Sequence, residues 1–185
     1  MASPAAFATT VTAPDFDSLV SQADYVVRTV VKSVNSEWQV EGANRSIVTK
    51  IELTVSEVIK GDPPSPLVLE ILGGTIGNTT MAVDGVPKFK VGDEDILFIH
   101  GNGQQFSPLV GLMYGRYPIV RDSVSGEEIV LRSNGIPLYD TNEVSQPMTP
   151  GAAQIAAHPL TATAFADKIR ASASQHASPS PANAN

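Results

Sequence analysis

The sequence contains no cysteine, which excludes disulfide bonds and zinc sites built from thiolates. Only 17% of its 185 residues are charged, and the formal net charge is −7. That charge disfavours nucleic-acid binding, because proteins that bind phosphates present clustered Lys and Arg side chains. No apolar run approaches the roughly 20 residues of a membrane-spanning helix. No cofactor or metal-binding motif occurs either, so we expect neither a cofactor nor a bound metal.

The residues that are present are typical of a turn-rich β protein, with 14 Gly and 14 Pro. We expect one domain over residues 14–172, with a disordered leader remnant at 1–13 and a disordered tail at 173–185, because neither end has apolar periodicity. Within the first segment, Ala6 to Ala8 fits the A-x-A pattern of signal-peptide cleavage sites. This pattern favours an extracytoplasmic location, periplasmic or secreted. A disordered N-terminus without a targeting role is the alternative.

The strongest periodic pattern runs from Ile47 to Gly61. Apolar and polar residues alternate along it, and a period of two predicts a long strand with one buried face. Ile51 and Val55 lie on the apolar phase and are expected to point into the core, whereas Lys50 lies on the polar phase.

The rest of the chain is expected to supply partners for this strand. Four further strands and a last hairpin are predicted at Tyr25 to Val34, Leu67 to Leu72, Ile96 to His100, Phe106 to Val120 and 120–131, with a polar connection at Ser36 to Asn44. Helices are predicted at Asp15 to Ala23 and Leu160 to Ser172, the second capped by Thr161 and anchored by Phe165. This pattern indicates a mainly β fold, a small OB-like closed barrel of five to six antiparallel strands with a short N-terminal helix and a C-terminal helix. A two-sheet β-sandwich is the alternative, because counting strands does not separate the two.

Four segments carry a resemblance to known proteins: ADYVVR from Ala23, VVKSV from Val30, EVIKG ending at Gly61, and VGDEDILFI from Val91. In this order they resemble a family of uncharacterised exported bacterial proteins. The order is also similar to tissue-inhibitor-of-metalloprotease and netrin-like modules, which are OB-fold barrels. The inhibitors place an N-terminal cysteine on the protease zinc. Since this chain has no cysteine, the resemblance implies the barrel and not that inhibitory mechanism.

The best candidates for a binding face are aromatic and basic residues, namely Trp38, Tyr114, Arg116 and Tyr117. OB barrels bind extended ligands on one sheet face with such side chains. The alternative is that most of these aromatic rings belong to the core. No catalytic residue is predicted.

Three other patterns match functional sites only in part. Gly73 to Asn78 is Gly-rich but lacks a following Lys-Ser/Thr, so a tight turn is favoured over an anion site. His100, His158 and His176 lie far apart, without a second ligand at metal-binding spacing. Asp93 to Asp95 clusters carboxylates without EF-hand spacing, which favours a solvated acidic turn.

We therefore expect a non-enzymatic, exported β-barrel module that binds a protein or peptide partner. Two alternatives stay open: an OB-type domain that binds oligosaccharide or nucleic acid, and a hydrolase whose carboxylate pair the sequence does not identify. The net charge of −7 argues against nucleic acid.

Overall fold

A computed structural model describes residues 12–42, 44–146 and 158–176 of the chain, which form a mainly β structure. The strands are β1 (Tyr25–Glu41), β2 (Asn44–Lys60), β3 (Leu67–Leu72), β4 (Gly74–Ile76), β5 (Thr79–Met81), β6 (Glu94–Ile99), β7 (Arg116–Arg121) and β8 (Glu128–Val130). The α-helices are α1 (Phe16–Gln22) and α2 (Ala162–His176). In the described part of the chain, no helix has the length and apolar character needed to cross a membrane.

Six strands form one antiparallel sheet in the order β3-β2-β1-β6-β7-β8, and β4 and β5 form a separate two-stranded hairpin. The expectation of a mainly β, antiparallel fold is therefore confirmed. The edge strands β3 and β8 do not pair with each other, so no closed barrel is found among the described strands.

The segment that follows β6 bonds to the free edge of β3. The Asn102 side-chain amide donates to the Val68 carbonyl at 2.7 Å and accepts from the Glu70 amide at 3.3 Å. The Leu72 amide donates to the Phe106 carbonyl at 2.7 Å. The loop that follows β6, rather than another strand, thus forms the hydrogen bonds at this edge of β3.

Apolar clusters cover both faces of the sheet. The first, called the inner core, is formed by Tyr25, Val27, Val31, Ile51, Leu53, Leu67, Leu69, Ile71, Phe89, Leu97, Ile99 and Leu109. The second, called the helix core, packs α1 and α2 on the opposite face. Phe165 is its fully buried centre, with the rings of Phe16, Phe98 and Tyr117 at centroid distances of 5.9, 6.2 and 4.9 Å. The prediction that Phe165 anchors the C-terminal helix is confirmed.

The β1–β2 hairpin is longer than predicted. The sequence predicts a connection over the polar stretch from Ser36 to Asn44, but β1 continues through it to Glu41 and β2 begins at Asn44. Cross-strand pairing overrides the weak strand propensity there, as in the pair Trp38 and Ile47.

The predicted irregularity of β1 is confirmed by shifts in its register with β2, one of them between Val31 and Ser33. These shifts move side chains from one face to the other. Ile51 therefore lies in the inner core, whereas Ile59 of the same strand lies in the helix core. Val55 is half-buried against the inner core, as its phase predicts.

The predicted strand from Phe106 to Val120 is confirmed only for its last part, from Arg116 onward, and is wrong before it. The chain forms a loop and a short 3-10 helix at Leu112–Gly115 before β7 begins at Arg116. Gly111 and Leu112 adopt left-handed backbone angles, with φ of 61° and 57°, which interrupt an extended conformation.

The ends of the domain differ from their predicted bounds. The Thr161 hydroxyl accepts from the Ala164 amide at 3.1 Å, so the predicted cap is confirmed. Helix α2 ends at His176 instead of Ser172, so the predicted disordered tail begins too early. Residues 1–11 and 177–185 lie outside the described residues.

Candidate functional site

A cavity of about 260 Å³ lies at the end of the inner core, beside the β4–β5 hairpin. Its walls are largely apolar, and polar atoms enter from a few side chains and the backbone. The lining residues are Val34, Ser36, Thr49, Ile51, Ile71, Leu72, Gly73, Gly74, Thr75, Thr80, Met81, Ala82, Val83, Val86, Pro87, Lys88 and Phe89.

Gly74 brings the β4–β5 hairpin against the face of β1 and β2. A Cβ atom at Gly74 would lie 2.3 Å from the Thr49 hydroxyl and 2.5 Å from the Ser36 hydroxyl. Gly73 and Gly74 also have backbone φ angles of 106° and 144°, which residues other than glycine rarely adopt. The Gly-rich segment therefore serves a close approach of two hairpins, in line with the tight turn favoured from the sequence.

Two hydroxyl groups on β1 and β2, those of Ser36 and Thr49, contribute to the polar part of the cavity wall. The Thr49 hydroxyl donates to the Gly73 carbonyl at 2.6 Å, and the Ser36 and Thr49 oxygens are 2.9 Å apart. A hydroxyl has one proton, so Thr49 must accept from Ser36. The Ser36 oxygen consequently keeps its lone pairs for an N–H donor from outside.

Arg116 holds the far wall of the cavity in place. Its guanidinium lies 4.2 Å from the centroid of the Phe89 ring and donates to the Lys88 carbonyl at 2.5 Å. It also donates to Asp93 at 2.8 Å and to Asp95 at 2.7 Å. Burial raises the pKa of the Asp95 carboxyl, while the hydrogen bonds from Arg116 oppose that rise. Arg116 is itself buried, so it positions the wall and presents no charge to a ligand.

The four predicted binding residues do not form one surface. Arg116 and Tyr117 are neighbours on β7, and neighbours on a strand point to opposite faces. Tyr117 is therefore fully buried in the helix core, while Arg116 faces the side of Phe89. Tyr114 is half-buried in the short 3-10 helix. Of the four, Trp38 and Arg116 lie on the face that carries the cavity, and only Trp38 is exposed there.

Trp38 belongs to an extension of that face, which we call the hairpin stripe: it consists of Trp38, Val40 and Arg45, which are exposed, and Ile47, which is buried beneath them. Pairs across β1 and β2 run outward from the cavity as Val34 with Ile51, Ser36 with Thr49, Trp38 with Ile47 and Val40 with Arg45. All point the same way, because every second residue of a strand shares a face. Trp38 is 37% and Val40 is 67% exposed. The apolar surface thus continues from the cavity to the tip of the hairpin.

Two cations border this surface. Lys88 is the sole ionisable residue among those that line the cavity. The Arg45 guanidinium lies 3.7 Å from the centroid of the Trp38 ring. Within the described ranges neither cation has a carboxylate partner, whereas Lys32 and Lys50 pair with Glu52 and Glu37. On a chain of net charge −7, this border is locally positive.

The acidic turn, His100 and His176 have structural partners: His100 Nδ1 lies 3.1 Å from an Asp24 carboxylate oxygen, and His176 Nδ1 lies 2.8 Å from the Ser172 carbonyl oxygen. Asp93 and Asp95 bond to Arg116, and Glu94 accepts from Arg28 at 2.7 Å. The expected solvated acidic turn is therefore wrong in part, because Asp95 is buried. Across residues 12–42, 44–146 and 158–176, no group of three or more His, Asp or Glu residues is placed to hold a metal ion.

Comparisons of the chain with family models, with curated proteins and with solved structures find no match. The features of the molecule that indicate a function are therefore the cavity, the hairpin stripe and the two cations beside them.

Proposed function

We propose that this protein is a binding module that takes one large apolar side chain of a protein or peptide partner into the cavity. The observation that carries the proposal is the continuity of the cavity with the exposed hairpin stripe. Exposed apolar surface bordered by polar residues is typical of interaction sites.

The size of the cavity favours a side chain over a free small molecule. Pockets for drug-sized ligands measure roughly 300–1,000 Å³, and this one measures about 260 Å³. An aromatic or long aliphatic side chain fits such a volume. The rest of the partner then lies outside, along the hairpin stripe.

The positive charge beside the site indicates which kind of residue the partner carries next to its apolar side chain. Lys88 and Arg45 border the site without carboxylate partners among the described residues. An acidic residue near the inserted side chain would meet these cations, and such complementarity directs specificity and association rate. The partner is thus an apolar segment with an acidic flank.

The closed OB-like barrel and the exported location belong to this proposal. The barrel is supported by the hydrogen bonds that Asn102 exchanges with β3 and that the Phe106 carbonyl accepts from Leu72, and by the similarity to the inhibitor and netrin-like modules. The exported location rests on the same resemblance and on the A-x-A pattern at Ala6 to Ala8.

A displayed library of random peptides tests the proposal. Selection on the wild-type protein is followed by binding to Val86→Phe, which fills the cavity, and to Val91→Phe. Val91 is 67% exposed and is not among the lining residues, so it is the matched control. Thermal unfolding establishes that each variant is folded.

We expect the selected peptides to share a large apolar residue beside an acidic one. They should bind Val91→Phe as they bind the wild type, and lose binding to Val86→Phe. Peptides that bind both variants equally, or a selection that enriches none, would contradict the proposed function.

A further inference from the structure

The outer half of β1 has an unpaired edge beside the cavity. Strand β6 pairs with β1 only from Tyr25 to Val30, and the Asp93 carbonyl and the Gly92 amide bond to Val31. From Lys32 onward, no backbone hydrogen bond on this side of β1 occurs within the described ranges. Val34 to Val40 includes one charged residue, Glu37, and no proline. It therefore carries little of the protection that edge strands usually have.

The hydrogen bonds of β2 and its pairing with β1 show which backbone groups of β1 face this open edge. On β2, the Ile47 carbonyl accepts from the Gly73 amide, on the side away from β1. Backbone groups alternate sides along a strand, so Thr49 also points away from β1. The β1 residues opposite Ile47 and Thr49 are Trp38 and Ser36. Their amides and carbonyls therefore point to the open edge, and so do those of Val34 and Val40.

These four residues also carry the side chains that face the cavity and the hairpin stripe. We propose that the partner adds to this edge as an extended strand, which bonds to the backbone of Val34, Ser36, Trp38 and Val40. The inference rests on the proposed function and specifies its geometry. Such strand addition draws affinity from main-chain bonds and specificity from pockets for alternate side chains.

The geometry specifies the sequence pattern of the partner. Side chains two positions apart share a face, so one apolar residue enters the cavity and the next on that face contacts Trp38. The other face of β1 presents Asn35, Glu37 and Gln39, which favours polar residues between the apolar ones. The acidic flank meets Arg45 or Lys88.

The experiment uses a peptide enriched by the library, synthesised with one backbone N-methyl group at each position in turn. A strand uses every second amide at a given edge. We expect affinity to fall about tenfold at alternate positions and to change little at those between.

Paired variants test the edge from the side of the protein. Trp38→Pro and Trp38→Thr both remove the indole, but only the proline removes the amide proton that faces the edge. Proline is tolerated at an edge strand where the amide faces solvent. We expect the peptide to bind Trp38→Pro about tenfold more weakly than Trp38→Thr.

The outcomes separate this inference from the proposed function. Loss of binding in Val86→Phe together with no alternation in the N-methyl series would overturn strand addition and leave cavity binding standing. Equal binding to the two Trp38 variants would also overturn it. If Val86→Phe binds normally, or no peptide is enriched, the proposed function fails and strand addition fails with it.

Discussion

Arg116 donates two hydrogen bonds to the fully buried carboxylate of Asp95, from Nε at 2.7 Å and from Nη2 at 3.1 Å. The same guanidinium bonds to the backbone of Lys88 and stacks on Phe89, both of which line the cavity. The pair thus fastens a cavity wall to the sheet.

Removal of one partner from this pair should destabilise the protein strongly. Asp95→Ala leaves a buried guanidinium without its main partner, which typically costs about 3–5 kcal/mol. Urea unfolding measures the change. The control is Glu52→Ala, which breaks an exposed pair with Lys32 and should have little effect. Similar small losses in both variants would show that Asp95 and Arg116 contribute no more than a surface pair.

Ile51→Ala should destabilise the inner core. Ile51 is 2% exposed, and truncation of a buried isoleucine costs about 2–5 kcal/mol through lost apolar contact and the void that remains. Lys50→Ala, on the neighbouring residue, removes only an exposed side chain and should change little. Thermal or urea unfolding of both variants decides the matter, and equal effects would mean that the assigned faces of β2 are wrong.

Phe165→Ala should destabilise the helix core by about 3–5 kcal/mol, because its fully buried ring contacts three other aromatic rings. Amide hydrogen exchange throughout α2 should accelerate as well. Lys168→Ala on the exposed side of the same helix is the control. Unchanged exchange in Phe165→Ala would contradict the docking of α2 through this ring.

The lowered pKa of Asp24 predicts that the stability of the folded protein depends on pH. A hydrogen bond from the Gly101 amide, at 2.8 Å, lowers the pKa of Asp24 below 3.8, and His100 adds to the effect. A carboxyl whose pKa falls on folding stabilises the protein above its unfolded pKa, and this contribution is lost as the pH falls through the lowered value.

Thermal unfolding of the wild type and Asp24→Asn should therefore differ at neutral pH and converge in strongly acidic buffer. A difference in stability that persists there would mean that ionisation of Asp24 is not its source.

The local pattern of apolar and polar residues is sufficient to predict much of the fold. The alternation in β2 placed Ile51 inside, and the spacing around Phe165 identified the helix that this ring anchors. The outer part of β1 was missed because its residues, such as Ser36 and Gln39, have weak strand propensity. They are extended because β2 pairs with them, and that pairing is invisible in a local window.

The site was harder to predict, because it depends on contacts between distant segments. Ser36, Gly74 and Phe89 line one cavity but are far apart in the chain. Trp38 was identified from its residue type, whereas Arg116 and Tyr117 were grouped without knowledge of which face each occupies. The sequence signal for the site was the glycine pair at 73–74. The hydroxyls that Gly74 approaches belong to distant segments, so the residues next to the pair in the sequence do not identify them.

The most direct test of the cavity as a binding site is a titration of isotope-labelled protein with N-acetylphenylalaninamide, followed by backbone amide chemical shifts. At millimolar probe, we predict shifts concentrated at Ser36, Ile71, Val86 and Phe89, and their loss in a folded Val86→Phe variant. Shifts confined to other surfaces, or equal shifts in wild type and Val86→Phe, would contradict the central claim that the cavity receives an apolar side chain.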